Sequence, residues 1–270
     1  MTTSLAIERR GPIGRVILDR PERHNAFDDA LIAELTDALR TIEADEGVRV
    51  VELASAGRSF SAGADLEWMR RVAGAPRDAN RDDAMALAAL MRTLAELRKP
   101  TIARVQGAAY GGGVGLVACC DIAVATVGAK FALSEAKLGL IPAVISPYVV
   151  AAIGPRASRR YFLTGESFDA AEAWRMGLVH ELAKDEADLD ERIARLAAAL
   201  LACGPVAQVE CKALIRAVAG RPVTLELVQD TAERIAKVRS SPEGMEGVTA
   251  FLEKRRASWV PADTKPKTSA

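Results

Sequence analysis

Before residue 170, hydrophobic and polar positions along this chain alternate between a period of two, typical of strands, and a period near 3.6, typical of helices. The clearest helical pattern spans 28–44, where Leu31, Leu35, Leu39 and Ile42 share one face and Asp28 stands at the N-cap position. Further helices are predicted at 84–97 and 114–120, and strands at 16–19, 48–54, 102–105, 122–125 and 130–132.

The order strand, strand, helix repeats along this part of the chain, in place of a strict βαβ alternation. Such an order predicts an α/β fold in which short sheets form a coil wrapped by helices. The segment 74–82 is small, charged and aperiodic, which predicts a mobile loop.

Beyond residue 170 strand-like segments become scarce and helical periods dominate. Four helices are predicted there, at 188–203, 205–218, 224–240 and 243–257. We therefore predict a core region at 1–199, a helical region at 200–260 and a disordered polar tail at 261–270.

Composition and charge exclude several classes of protein. Half of the 270 residues are hydrophobic, and 36 basic side chains balance 36 acidic ones, so no global field favours nucleic acid or a membrane surface. The start of the chain lacks the apolar segment of a signal peptide, which predicts a cytoplasmic location.

Cysteine and histidine residues offer no metal cluster at the usual spacings. Cys119 and Cys120 are adjacent, Cys203 and Cys211 are not in a C-x-x-C pair, and the two histidines lie far apart. We predict no metal, and buried, reduced thiols.

Two glycine-rich segments follow predicted strands. Gly111, Gly112 and Gly113 stand between a strand and a helix, and Gly63 stands at a second strand exit. Glycines allow backbone N–H groups to approach a ligand closely, although tight packing at a turn explains an isolated run equally well. Two such exits that converge would form an oxyanion hole, worth about 3–4 kcal/mol per donor.

Four motifs in order carry a resemblance to a known family: RPERHNAF, FSAGADL, VQGAAYGGGVGLVACCDIAVA and FALSEAKLGLIPA. Together with the tail EGVTAFLEKRRASW, they resemble the crotonase family, also called the enoyl-CoA hydratase/isomerase family, from about residue 7 to residue 259. Within that family, FSAGADLEWMR and LGLIPAVISPYVV are similar to a bacterial branch that acts on methylglutaconyl-CoA and related branched, carboxylated esters.

The resemblance implies a spiral of ββα units with a helical C-terminal region that forms a trimer or a dimer of trimers. It implies that the N–H groups of Ala64 and Gly112 hold a thioester oxygen and that Glu135 moves a proton. Family hydratases commonly carry a second glutamate two residues after the glycine run, where this chain has Gly115. This departure puts the usual mechanism of two carboxylates in question.

The resemblance also implies residues that bind an acyl-CoA thioester, with no cofactor beyond the coenzyme A of the substrate. Arg23 would contact the phosphates of coenzyme A. Lys254, together with Phe251, would contribute to the same CoA site from a neighbouring subunit. Trp68 would line the acyl pocket. The remaining candidates for substrate binding are Ala62, Asp65, Leu66, Gly111, Gly115 and Pro142.

Several functions stay open on these residues. The leading interpretation is hydration of a 2-enoyl-CoA, and the second is an enoyl-CoA isomerase that uses one glutamate. A non-catalytic relative that binds CoA or RNA, and an enzyme that decarboxylates or hydrolyses a CoA thioester, are further alternatives. In a hydratase, the substrate carboxylate or Ser146 would place the water, whereas Ser134 and Ser146 could instead cap helices.

Overall fold

The structure is a computed structural model that describes residues 4–261. Within this range the chain separates into two compact units, one of residues 4–97 and 101–194 and the other of residues 98–100 and 195–261. The boundary predicted at residue 199 falls inside a helix (Glu186–Ala202) and stays a prediction. The predicted disordered tail lies outside the described residues except for its first residue.

Ten strands in the described range form two sheets. They are β1 Leu5–Arg10, β2 Ile13–Leu18, β3 Val50–Ser55, β4 Ser59–Ser61, β5 Thr101–Val105, β6 Ala108–Tyr110, β7 Ile122–Thr126, β8 Lys130–Ala132, β9 Ser167–Asp169 and β10 Glu181–Ala183. The first sheet has the order β1-β2-β3-β5-β7-β10, and the second has the order β4-β6-β8-β9. The edge pairs β1–β2 and β8–β9 are antiparallel, and the other pairs are parallel.

From β3 to β8, consecutive strands alternate between the two sheets. β3, β5 and β7 belong to the first sheet, and the strand that follows each of them belongs to the second. Helical structure follows each of these pairs of strands, so each ββα segment forms one turn of a spiral. This arrangement confirms the predicted α/β spiral of ββα units.

Ten α-helices complete the described chain. They are α1 Asp29–Ala44, α2 Leu66–Ala73, α3 Arg77–Glu96, α4 Gly112–Cys119, α5 Ser146–Thr164, α6 Ala170–Met176, α7 Glu186–Ala202, α8 Pro205–Val218, α9 Leu225–Arg239 and α10 Pro242–Leu252. In α1, the Asp28 side chain accepts a hydrogen bond from the Leu31 N–H at 2.8 Å, as an N-cap does. The four apolar residues predicted for its inner face are all buried.

Two predicted helix boundaries are wrong. The segment 74–82 is not a loop throughout, because α3 begins at Arg77; its first turns are exposed and polar, and its buried residues begin only at Leu90. The last helix ends at Leu252 instead of 257. Lys254 adopts a positive φ of 54° and Arg255 N–H bonds back to the Ala250 carbonyl, which closes the helix.

The cysteine prediction holds for half of these residues. Cys119 and Cys120 are buried, whereas Cys203 and Cys211 are exposed, and none of the four forms a disulfide bond within residues 4–261. Cys203 directly follows α7 and Cys211 lies on α8, and both helices are amphipathic. The exposure of these two cysteines therefore depends on the helix face they occupy and not on the hydropathy of cysteine.

Among the described helices, none alone has the length and apolarity needed to cross a membrane. The consecutive pair α7 and α8 meets those criteria only when it is taken together as a bent segment.

The second sheet determines where the candidate site residues leave the core. β4, β6 and β8 lie side by side and run parallel, so their carboxyl ends meet at one edge. Gly63 and Ala64 follow β4, the glycine run follows β6, and Glu135 follows β8. The fold therefore directs three separate motifs to one place.

Candidate active site

The two glycine-rich exits approach each other at Gly63 and Gly111. Gly63 has a φ of 85°, and a Cβ there would lie 2.8 Å from the Tyr110 carbonyl oxygen and 3.7 Å from Gly111 Cα. Gly111 has a φ of 49°. Both positions need glycine, because side chains rarely tolerate this conformation and because no space exists for one at Gly63.

The backbone N–H of Ala64 is available for a ligand. Ala64 forms a parallel bridge with Phe27, in which Phe27 N–H donates to the Gly63 carbonyl at 2.6 Å and Asp65 N–H donates to the Phe27 carbonyl at 2.7 Å. These bonds engage the groups on either side of Ala64, and its own N–H has no hydrogen-bond partner among residues 4–261.

The second available N–H belongs to Gly112, the first residue of α4. The first N–H groups of a helix have no partner within it, and Gly111 at the N-cap supplies no side chain. Within the described part of the chain, the Gly112 N–H is likewise unpaired. The helix dipole adds partial positive charge at this end. The arrangement suits an oxygen on which negative charge develops.

Glu135 lies beside these donors. A Cβ on Gly111 would come within 3.1 Å of Glu135 Oε1, which places the carboxyl group next to the residue that precedes Gly112. Its Oε2 atom is buried and has no hydrogen-bond partner in the described residues. Burial raises the pKa of Glu135 above its ordinary value, with one opposing contribution from its own backbone N–H. The carboxyl group is thus disposed to carry a proton.

Gly115 lies on α4 one turn beyond Gly111, in a buried and filled region. A Cβ there would collide with the Ile145 side chain, 2.9 Å from its Cβ, and would lie 3.2 Å from Met91 Cε. No carboxylate can therefore extend from this position in the present packing. Its predicted contact with substrate stays a prediction.

Asp65 connects the first donor to α2. Its side chain accepts hydrogen bonds from the N–H groups of Glu67 and Trp68, which caps the helix, and it pairs with Arg23 at 3.2 Å. Burial alone would raise the pKa of Asp65, but these two backbone bonds and the Arg23 guanidinium outweigh it and hold the pKa below its usual value. Asp65 is consequently a fixed anion at the start of α2.

The other predicted binding residues of the first unit have different exposures. Trp68 is buried, and its indole N–H donates to Asp83 at 3.0 Å, whereas Leu66 is exposed. Ala62 is half-buried with its N–H on the His24 carbonyl, and Pro142 is buried. Arg23 is exposed, and its guanidinium lies 3.5 Å from the Glu67 carboxylate as well as beside Asp65.

Phe251 and Lys254 lie in the second unit, where Phe251 is exposed on α10 and Lys254 follows that helix. Their contribution to a CoA site stays a prediction.

The expected serine caps are wrong. Ser134 precedes a 3-10 helix, Glu135–Leu138, without a side-chain cap bond, and Ser146 is the first residue of α5 and donates to the Ala143 carbonyl at 2.7 Å.

Two residues near the donors escaped the sequence prediction. Phe27 and Ser61 both contact the backbone that presents Ala64, and both are fully buried. The one sequence feature that could have indicated Phe27 is its place in the first motif, directly after Asn25 and Ala26. Its hydrogen-bond partners, Gly63 and Asp65, are distant in sequence.

Comparison with known proteins identifies one family along nearly the whole chain. The family model for enoyl-CoA hydratase/isomerase matches residues 8–261. A putative enoyl-CoA hydratase of Thermus thermophilus is 35% identical over 246 residues, covering 91% of this chain and 96% of the relative. A crotonyl-CoA hydratase of Syntrophomonas wolfei is 28% identical over 267 residues, covering 95% and 98%.

Solved structures lead to the same class. The crystal structure of an enoyl-CoA hydratase from Shewanella pealeana matches with a TM-score of 0.93 and 44% identity, covering 95% of this chain and 96% of that chain. The spiral fold and the family match define the class of the protein, the crotonases. The chain belongs to the enoyl-CoA hydratase/isomerase family.

Proposed function

We propose that this protein is an enoyl-CoA hydratase that adds water across the 2,3 double bond of an enoyl-CoA thioester. The observation that carries the proposal is the position of Glu135, with its raised pKa, beside the unpaired N–H groups of Ala64 and Gly112. The predicted enzyme class is confirmed, because relatives that match nearly the whole chain are named enoyl-CoA hydratase and crotonyl-CoA hydratase.

In the proposed reaction, the two N–H groups hold the thioester carbonyl oxygen. Water oxygen bonds to C3, the π electrons move toward the carbonyl, and the enolate oxygen gains negative charge that the donors stabilise. Glu135 gives its proton to C2, and the proton that the attacking water loses restores the carboxyl group. The net change is the addition of one water molecule.

The finer proposal concerns the acyl group. Because Ile145 fills the space beside Gly115, the protein offers no second carboxylate there to orient the water. A substrate that carries its own carboxylate, such as methylglutaconyl-CoA, would supply the missing acceptor. Two sequence stretches that resemble the branch for branched, carboxylated esters support this choice.

The second candidate is an enoyl-CoA isomerase. The same observation favours it, because a single carboxyl group is sufficient to move a proton between two carbons of a stabilised enolate.

For the hydratase, Ser146 is a weaker candidate than the substrate carboxylate for placing the water, since its hydroxyl hydrogen is engaged with the Ala143 carbonyl.

We further propose that the protein assembles as a trimer or a dimer of trimers. The second unit exposes large apolar side chains on α8, α9 and α10, including Ile215, Leu225 and Phe251. Surfaces of this kind are typical of contacts between proteins. The CoA phosphates would be bound by Arg23 and, from a neighbouring subunit, by Lys254.

One experiment separates the candidates. The enzyme is incubated in heavy-oxygen water with methylglutaconyl-CoA, crotonyl-CoA or a 3-enoyl-CoA, and the products are analysed by mass spectrometry. Hydration adds a labelled water, whereas isomerisation leaves the mass unchanged. Unlabelled, isomerised product from the 3-enoyl-CoA, without hydration of the other two, would establish the isomerase instead. Glu135→Gln serves as the inactive control.

A further inference from the structure

We propose that Phe27 is a positioning residue that sets the separation of the two main-chain donors, Ala64 and Gly112. The inference rests on the proposed function, because it takes these two N–H groups to be the oxyanion hole. Phe27 is the fourth residue after Arg23 in the first sequence motif, and its side chain is 1% exposed.

The backbone of Phe27 holds the Ala64 donor. Its N–H donates to the Gly63 carbonyl and its carbonyl accepts from the Asp65 N–H, so Ala64 is held from both sides. In a parallel bridge, the residue between two bonded neighbours directs its own N–H and carbonyl away from the partner strand. This pairing therefore determines the direction in which the Ala64 N–H points.

The ring of Phe27 contacts the Gly112 donor. A Cβ on Gly112 would lie 2.7 Å from Phe27 Cε2 and 2.9 Å from Cδ2, so the ring rests directly against the glycine Cα. One residue thus touches both donor segments, one through its main chain and the other through its side chain. Glycine at 112 is needed for this close approach.

The segment that carries Phe27 is itself firmly anchored. Asn25 is fully buried, and its side-chain amide donates to the carbonyls of Ala56 and Ser59 at 2.9 Å each. The Ser61 hydroxyl donates to the Asn25 carbonyl at 2.8 Å and also accepts from the Gly63 N–H at 3.3 Å. These hydrogen bonds fix the backbone that carries Phe27, so its ring cannot shift easily when Gly112 moves.

An oxyanion hole depends on where its donors stand, since they stabilise charge without rearranging only when their positions are preset. A smaller side chain at 27 would leave space beside Gly112 and allow the start of α4 to shift. A displacement near 1 Å at such a site can lower the rate by about 100-fold. Substrate binding through the distant CoA portion would be affected less.

The test compares Phe27→Leu with Phe168→Leu in the full-length protein. Phe168 is also buried, but its ring contacts are with Phe131 and Tyr161. We expect Phe27→Leu to lower kcat about 10- to 100-fold with little change in KM, and Phe168→Leu to lower thermal stability while kcat changes less than about twofold. Where Phe27→Leu does not fold, Phe27→Met replaces it.

A spectroscopic measurement separates positioning from a general loss of packing. Butyryl-CoA labelled with ¹³C at its carbonyl is a saturated probe that cannot be hydrated, and its carbonyl shift reports polarisation by the donors. We expect a downfield shift on binding to the wild type and to Phe168→Leu, and a smaller shift with Phe27→Leu. An unchanged shift and kcat in Phe27→Leu would overturn the role of Phe27 alone.

The same probe distinguishes a failure of the proposed function. If bound butyryl-CoA shows no downfield shift even in the wild type, the donors are not an oxyanion hole and both proposals fail. A double-variant cycle adds a second check: Gly112→Ala forces a methyl group against the ring, and Phe27→Leu in the same chain should restore part of the lost activity. Strictly additive losses would contradict the contact as the cause.

Discussion

Ile145 occupies the space that any side chain at Gly115 would need. The Ile145 side chain is buried, and a Cβ on Gly115 would lie 2.9 Å from its Cβ. Gly115 on α4 and the large side chain of Ile145, directly before α5, therefore have complementary shapes. In packing terms, this pair leaves no room for a carboxylate at position 115.

We expect Gly115→Glu alone to destabilise the protein without giving new activity. Forcing extra atoms into a packed core costs about 1–3 kcal/mol, and a buried carboxylate adds to that cost. Denaturant unfolding gives the free energy of unfolding. Gly128→Glu is the control, since Gly128 is exposed and has no atom within 4 Å of a built Cβ. Equal stability of the two variants would contradict the packing described above.

Shortening Ile145 in the same chain should make room for the second carboxylate. With Gly115→Glu and Ile145→Ala combined, we expect kcat/KM for crotonyl-CoA to rise relative to that for methylglutaconyl-CoA, because like charges would then share the site with the carboxylated substrate. Ile145→Ala alone is the control. An unchanged ratio of the two kcat/KM values would show that the second carboxylate is irrelevant to the choice of substrate.

Glu135→Gln should remove catalysis and leave binding nearly intact. The amide has the same shape but cannot exchange a proton at neutral pH, and general acid–base groups contribute about 10²–10⁴-fold to the rate. Turnover and calorimetric binding of butyryl-CoA measure the two effects. Glu226→Gln, on an exposed position of α9, is the control. A variant that keeps more than about a tenth of kcat would rule out the assigned role.

The same variant should be more stable than the wild type at neutral pH. Burial raises the pKa of Glu135 above its ordinary value of 4.5, so ionising this group in the folded state costs free energy at any pH above that value. The neutral amide that replaces the carboxyl group avoids this cost. Denaturant unfolding between about pH 4 and 8 should show a stability gain that is largest at neutral pH and disappears below the ordinary pKa. A gain that is independent of pH would point to packing and not to ionisation.

Asp65→Ala tests whether the cap of α2 supports the Ala64 donor. Losing an N-cap costs about 1 kcal/mol, and Asp169→Ala removes the cap of α6, where Asp169 accepts from the Glu172 N–H. We expect a larger loss in the free energy of unfolding for Asp65→Ala, because Asp65 accepts from two N–H groups and also pairs with Arg23, and we expect a lower kcat for Asp65→Ala alone. Equal kcat values for the two variants would restrict Asp65 to a stabilising role.

Local patterns predicted much of the fold. The Asp28 cap and the inner face of α1 follow from spacing alone, and β8 and α8 have the bounds that periodicity predicted. The beginning of α3 could not be predicted from the sequence pattern, because its first turns are exposed and have no buried apolar face. The strands β4 and β6 were not predicted either, because each has only three residues and lies inside a segment rich in serine, alanine or glycine.

The candidate site divides in the same way. Gly63, Gly112 and Glu135 belong to motifs that the sequence displays, but their approach depends on the order β4-β6-β8, which no local pattern contains. Phe27 was missed for a related reason. Its contacts with Gly63, Asp65 and Gly112 join segments far apart in the chain, and its own neighbourhood resembles any strand-to-helix turn.

The order of β4, β6 and β8 has a consequence during biosynthesis. A nascent chain that has left the ribosome only as far as α3 contains the first donor segment but neither β6 nor β8, so nothing yet stands against it. The proposed thioester site can be complete only after the residues around Glu135, at the midpoint of the sequence, have left the ribosome. A ribosome stalled before that point should carry a chain with α1 and β1–β3 in place and no affinity for acyl-CoA.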